Sequence, residues 1–81
     1  MTITVRLFSV VRERAGISQV ALTLPELATV AVARDALLER FPALRALTAG
    51  TAFAVNLSYT SLETQLHEGD ELALIPPVSG G

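Results

Sequence analysis

The feature that most constrains this chain is a single helical stripe set between stretches of a different period. Val30, Ala33, Leu37 and Phe41 fall at i, i+3, i+7 and i+11, which places them along one side of a helix. Arg34, Asp35, Glu39 and Arg40 occupy the other faces. Thr29 precedes the stripe as an N-cap whose hydroxyl can accept from a free backbone amide. Pro42 ends it, because the residue before a proline disfavours the α region. Pro25 offers an alternative, earlier start. A lone amphipathic helix must bury its stripe on something, and the flanking segments read as the strands of a sheet.

Those segments alternate every second residue. Over 1–8, Ile3, Val5 and Leu7 alternate with Thr4, Arg6 and Phe8. Over 18–24, Val20, Leu22 and Leu24 alternate with Gln19, Ala21 and Thr23, so the two segments are expected to form an antiparallel hairpin. The polar VVRERAG between them ends in Gly16, a helical C-cap or turn glycine. Residues 51–57 put Phe53, Val55 and Leu57 on one face of a third strand, and Tyr59 and Thr60 form a very short fourth. HEGD at 67–70 is turn chemistry, with Gly69 free to take positive φ. In a last strand over 71–75, Leu72 and Leu74 face one way and Glu71, Ala73 and Ile75 the other. The expected order is β-β-α-β-(β)-β, an α+β fold with a four- to five-stranded mixed sheet on one main helix.

Composition narrows the chemistry. At 81 residues the chain is one domain with one core. The hydrophobic fraction of 51% and charged fraction of 17% argue against disorder. The longest apolar run, Leu72 to Val78, contains two prolines and is far short of the roughly 20 residues that span a membrane. Neither a membrane segment nor a signal peptide is evident, so a cytoplasmic location is expected. With no cysteine and one histidine, His67, the chain lacks a disulfide framework, a thiolate nucleophile and a zinc site of the usual kind. All six basic residues are arginine, against eight acids, which disfavours nucleic acid as a partner. The absence of lysine also removes Schiff-base chemistry and any internal side-chain amine that could attack an activated carboxyl.

The sequence carries no recognisable catalytic motif. There is no glycine-rich phosphate loop and no nucleophile elbow. Glu68, Asp70 and Glu71 read as solvated turn charge, and His67 as an exposed loop residue with no orienting partner.

The C-terminus is different. Pro76 and Pro77 fix φ and remove two amide donors, so strand pairing should stop and the chain should leave the body. The reading divides the chain into a globular domain, 1–75, and a projecting, flexible tail, 76–81, able to reach about 20 Å. Val78, Ser79, Gly80 and Gly81 thin towards the end, and glycine can enter a channel too narrow for any other residue. The reactive group delivered to the end of such a channel is the Gly81 α-carboxylate.

Four segments together resemble one family: PPVSGG at the end, FSVVRERAG after the first strand, AVN in the third strand and EGDELALIPP leading to the tail. They are similar to the small subunit of molybdopterin synthase, the MoaD-type sulfur carriers. The resemblance covers the whole chain and implies a β-grasp (ubiquitin-like) fold. It implies that an adenylating enzyme of the MoeB type spends ATP to activate Gly81, and that a sulfur donor then converts the acyl-adenylate to a thiocarboxylate. The tail would enter a large synthase subunit of the MoaE type, in a heterotetramer, and give its sulfur to a cyclic pyranopterin monophosphate precursor. On this reading the chain is no enzyme alone but the sulfur-donating part of a sulfurtransferase, binding no cofactor stably, with Gly80 and Gly81 at the reacting end.

The expected partner surface lies beside the tail. Phe8 and Ile75 face away from the apolar sides of their strands and would form an exposed patch if those strands are neighbours. Both match positions where the family presents hydrophobic residues, and Arg12 matches a family arginine able to anchor an acid or carbonyl. Of the two apolar residues, the aromatic Phe8 is the stronger anchor. Pro76, Pro77, Val78 and Ser79 complete the expected contact, while Arg14 and Arg6 read as solvated surface. Three other readings share the fold: a thiamine-pathway (ThiS-like) sulfur carrier, a protein-conjugating ubiquitin-like modifier, and a β-grasp module that only binds.

Overall fold

The structure, a computed structural model, describes residues 1–77. Its elements are β1 (Thr2–Leu7), α1 (Ser9–Ala15), β2 (Gln19–Thr23), α2 (Val30–Arg40), a 3₁₀ segment (Pro42–Leu47), β3 (Ala52–Val55), β4 (Ser58–Thr60) and β5 (Glu71–Ile75). The strands form one sheet in the order β2-β1-β5-β3-β4. β1 runs parallel to β5, and every other pair is antiparallel. This mixed sheet grasping a helix is the β-grasp arrangement the resemblance implies, with all five strands present.

The core follows from the period-two pattern. Ile3, Val5 and Leu7 on β1, Val20 and Leu22 on β2, Phe53 on β3, and Leu72 and Leu74 on β5 are all buried. From α2 come Val30, Ala33, Leu37 and Leu38. Thr29 caps α2 as expected: its Oγ1 accepts from the Val32 amide at 3.4 Å. Leu27 takes a positive φ of 69° just before, which excludes the earlier start at Pro25. The stripe differs at its end. Leu38 is buried while Phe41, past the last turn, is only half-buried, and the Arg40 guanidinium lies 5.7 Å from the Phe41 ring centroid. Arg40 also donates to the Ala21 carbonyl at 3.0 Å, so α2 reaches the strand at the sheet edge.

Two elements are additional to the expected order. The VVRERAG connector is α1, closed by Gly16 at φ 80° with its amide on the Arg12 carbonyl; the C-cap role is therefore the one realised. The hairpin of β1 and β2 is antiparallel as expected, with a helix folded into its connection. The 3₁₀ segment follows Phe41 and buries Leu44. One expectation is corrected. Leu57 is not on the inner face of the third strand; β3 ends at Val55, which pairs directly with Ser58, so Asn56 and Leu57 form a two-residue hairpin turn. Both take left-handed conformations, φ 48° and 73°, the twist that a tight hairpin requires. Among the described residues no helix is long and apolar enough to cross a membrane.

Candidate functional site

Because β1 and β5 are parallel neighbours, their C-terminal ends emerge side by side. Leu7 pairs with Leu74, so the next residues outward are Phe8 and Ile75. The core takes Leu7 and Leu74, and alternation turns Phe8 and Ile75 to the other face. Phe8 is 41% exposed, and Ile75 and Pro76 are half-buried. The arrangement on which the expected patch depended, β1 beside β5, is present.

Phe8 is held at a corner. Its backbone is extended, while Ser9 turns sharply into α1 through a φ of 53°. The Phe8 carbonyl accepts from the amides of Val11 and Arg12 at 3.1 and 3.2 Å. Val11 is then the side chain α1 buries, and Arg12 is displayed in the last turn. Arg12 therefore sits on a helix, one turn beyond Phe8. Val10, 37% exposed beside Phe8, extends the apolar corner and was missed in the sequence. Its signal was available only once the segment is taken as a helix: with Val11 inward, Val10 must face out.

The sheet face continues this surface. Ala52 pairs with Ile75 and Ala54 with Ala73, on the side away from Phe53 and Leu74. Tyr59, 73% exposed, pairs with Ala54. Arg6 is exposed, as expected, and its guanidinium lies 3.5 Å from Glu71 on this face. The face carries Ala52, Ala73 and the buried Ala54, together with Phe8, Ile75 and Tyr59.

The turn residues are structural. Asp70 Oδ2 accepts from the His67 amide at 2.7 Å and Oδ1 from Asn56 Nδ2 at 3.0 Å. Glu68 Oε1 accepts from the Thr2 amide at 2.9 Å. Asp70 and Glu68 are thus hydrogen-bonded anchors, which corrects their reading as simply solvated charge. His67 remains exposed, 3.8 Å from Asp70. No cluster of ligands able to hold a metal ion occurs among the described residues.

Strand pairing ends at Ile75. Pro77 is exposed, with its ring over Gly50: a Cβ placed on Gly50 would lie 3.5 Å from Pro77 Cγ. Val78, Ser79, Gly80 and Gly81, the remaining expected site residues, lie outside the described residues. Among the described residues the site is an exposed apolar corner at the end of the last strand, with an arginine one helical turn away and no paired catalytic groups.

Comparison with known proteins agrees with this geometry. The profile of the ThiS family matches residues 5–81. The molybdopterin synthase sulfur carrier subunit of Arabidopsis thaliana is 37% identical over 79 residues, 98% of this chain and 82% of its own. The crystal structure of SAMP1 from Haloferax volcanii superposes with a TM-score of 0.94 at 34% identity, covering 100% of both chains. A complex of subunits 1 and 2 of molybdopterin-converting factor from Helicobacter pylori superposes with a TM-score of 0.73 at 27% identity, also over 100% of both chains. This chain belongs to the ThiS family, the family that includes the molybdopterin synthase sulfur carrier subunits.

Proposed function

We propose that this chain is the sulfur-carrying small subunit in molybdopterin formation, and that the Gly81 carboxyl is its working group. The single observation that carries this reading is the coincidence of the chain exit with the exposed apolar corner. The last strand ends beside Phe8, and the sequence beyond it narrows to Gly80 and Gly81. A partner that docks on Phe8 and Ile75 is thereby placed to receive the tail.

The chemistry follows from the group available. A free carboxylate is a poor electrophile. Attack of the Gly81 carboxylate on the α-phosphorus of ATP, in an adenylating enzyme of the MoeB type, forms an acyl-adenylate and releases pyrophosphate. Hydrosulfide displaces AMP at the carbonyl carbon to give the thiocarboxylate directly; a donor persulfide instead gives an acyl disulfide, which a second thiol cleaves to a donor disulfide and the thiocarboxylate. That sulfur is nucleophilic and tethered. A large subunit of the MoaE type supplies the groups that pass it to a cyclic pyranopterin monophosphate, once for each dithiolene sulfur. The Helicobacter pylori subunit complex supports a large-subunit partner. Having no lysine, this chain offers no side-chain amine to capture its own activated carboxyl.

Intact-protein mass spectrometry after incubation with an adenylating enzyme, ATP and a sulfur source tests the reading. The expected result is an oxygen-to-sulfur mass increase confined to the last peptide. An unchanged mass under conditions that convert the Arabidopsis relative overturns it.

A second reading has its own support. The Haloferax volcanii neighbour is named a small archaeal modifier protein in another of its crystal structures, at 32% identity and a TM-score of 0.90. In that reading the activated Gly81 forms isopeptide bonds with lysines of other proteins. Blotting for higher-mass conjugates separates the two, and capture by thiazole synthase would mark a thiamine-pathway carrier instead.

A further inference from the structure

We propose that Gly50 is a positioning residue for the tail: it seats Pro77 and so sets the pivot and direction from which the sulfur-bearing end departs. The inference rests on the carrier reading and deepens it. Ala52 pairs with Ile75 in an antiparallel register. Followed outward, that register brings position 51 opposite 76 and Gly50 opposite Pro77. Pro76 and Pro77 have no amide protons to continue a ladder. Packing replaces it: the Pro77 ring lies against Gly50, with Cγ 3.5 Å and Cβ and Cδ 4.0 Å from where a Cβ would stand.

The seat is built to stay in place. The Thr48 hydroxyl donates to the Arg45 carbonyl at 2.9 Å. The Thr51 amide donates to the Thr48 carbonyl at 3.1 Å, and the Thr51 hydroxyl donates to the Leu47 carbonyl. This braced turn brings Gly50 to a φ of 80°, a left-handed conformation that glycine adopts without cost. The left-handed backbone is what favours glycine here, and the Pro77 ring packs against it at ordinary van der Waals distance. The chain is guided two residues past the end of β5, as far as Pro77. The residues from Val78 to Gly81 then span at most about 13 Å, against about 20 Å for the whole of 76–81.

The decisive variant is Gly50→Asn, because asparagine tolerates positive φ and its carboxamide adds bulk beyond a Cβ that already stands 3.5 Å from the Pro77 ring. Pro77→Ala removes the ring and leaves the turn intact. Each is prepared as the C-terminal thiocarboxylate by chemical ligation, which bypasses the activating enzyme. Single-turnover sulfur transfer and Kd are then measured with the large synthase subunit of a relative. Gly50→Asn is expected to slow transfer about ten- to a hundredfold, the usual scale for an ångström-level misplacement of a reacting group. Its Kd should stay within about threefold, since the Phe8 corner is untouched. In the Pro77→Ala background, Gly50→Asn should cost no more than Pro77→Ala alone. An NMR cross-peak between Gly50 Hα and the Pro77 ring protons, in the free protein, should be present in the wild type and absent in Gly50→Asn. Wild-type transfer rates in Gly50→Asn, independent multiplicative effects of the two substitutions, or absence of the wild-type cross-peak each overturn the inference. A wild-type thiocarboxylate that delivers no sulfur fails the carrier reading instead, and the cross-peak still decides the seat.

Discussion

Asn56 Nδ2 donates to Asp70 Oδ1 at 3.0 Å, and Asn56 Oδ1 accepts from the Glu71 amide at 3.0 Å, so one side chain ties the β3–β4 hairpin tip to the start of β5. The Asn56 amide adds a bond to the Glu71 carbonyl at 2.9 Å. Asp70 in turn holds the His67 amide through its other oxygen. The strand leading to the tail is thus fixed at its beginning by two loops.

Asp70→Ala removes both of these charge-assisted bonds and leaves the Asn56 amide nitrogen without its partner. A loss of about 2–3 kcal/mol is expected, since hydrogen bonds to a charged group contribute on the order of 1.5–3 kcal/mol. Asp35→Ala serves as the control. Asp35 is exposed and pairs with the adjacent Arg34 at 3.2 Å, a type of surface pair worth well under about 1 kcal/mol. Urea unfolding midpoints measure both. Equal effects of the two substitutions would show that the Asp70 clamp is no more than surface charge.

Leu57→Gly should stabilise the protein. Leu57 is 90% exposed and held at φ 73°, so a leucine there buries nothing and occupies a conformation costing about 1 kcal/mol or more for any residue with a Cβ. Asparagine followed by glycine is the preferred pair for a two-residue hairpin turn of this hand. A gain of about 1 kcal/mol corresponds to a rise of about 4–8 °C in Tm for a domain of this size. A lower Tm would mean that Leu57 makes a contact the structure does not contain.

The same residue shows where the sequence stops being informative. Ile3, Val5 and Leu7 were legible because one sheet face is dry, and a period of two has only one register that buries all three. Thr29 was legible because capping is local chemistry. Leu57 continued the apparent alternation of Phe53 and Val55, and only the pairing of Val55 with Ser58 puts it in the turn. Asn56 was a turn signal, but leucine at the second turn position masked it. α1 buries one side chain, Val11, so it has no stripe for periodicity to detect. The apolar corner was half legible. Phe8 and Ile75 follow from strand alternation together with β1–β5 adjacency, which composition and periodicity leave open. The meeting of Gly50 with Pro77 joins residues 27 positions apart and leaves no local pattern at either.

Phe8→Ala should separate binding from folding. The ring is 41% exposed at a corner held by backbone bonds, so its removal should cost about 1 kcal/mol of stability or less. As a central aromatic anchor it should contribute about 2 kcal/mol or more to docking, roughly a thirtyfold rise in Kd for the large subunit. Arg12→Ala should weaken docking less, and Val32→Ala, exposed on α2, should leave it unchanged. Isothermal titration calorimetry provides all three values. Equal Kd for Phe8→Ala and wild type would move the interface off this corner.

Deleting Gly80 and Gly81 should abolish sulfur transfer and leave Tm unchanged within about 2 °C. The expectation follows from where the stability resides. Among the described residues the buried cluster runs from Ile3 to Leu74 and closes through β5 and α2. Appending one residue after Gly81 keeps every side chain of the tail but converts its carboxyl into an amide, which cannot be adenylated at that position. The two variants therefore remove the reacting group by different routes and should be equally inactive. Both should still bind the large subunit through Phe8 and compete with wild-type carrier in a transfer assay. Full transfer by the extended chain would show that the Gly81 carboxyl is not the reacting group, and a module acting only by docking would then be the better description.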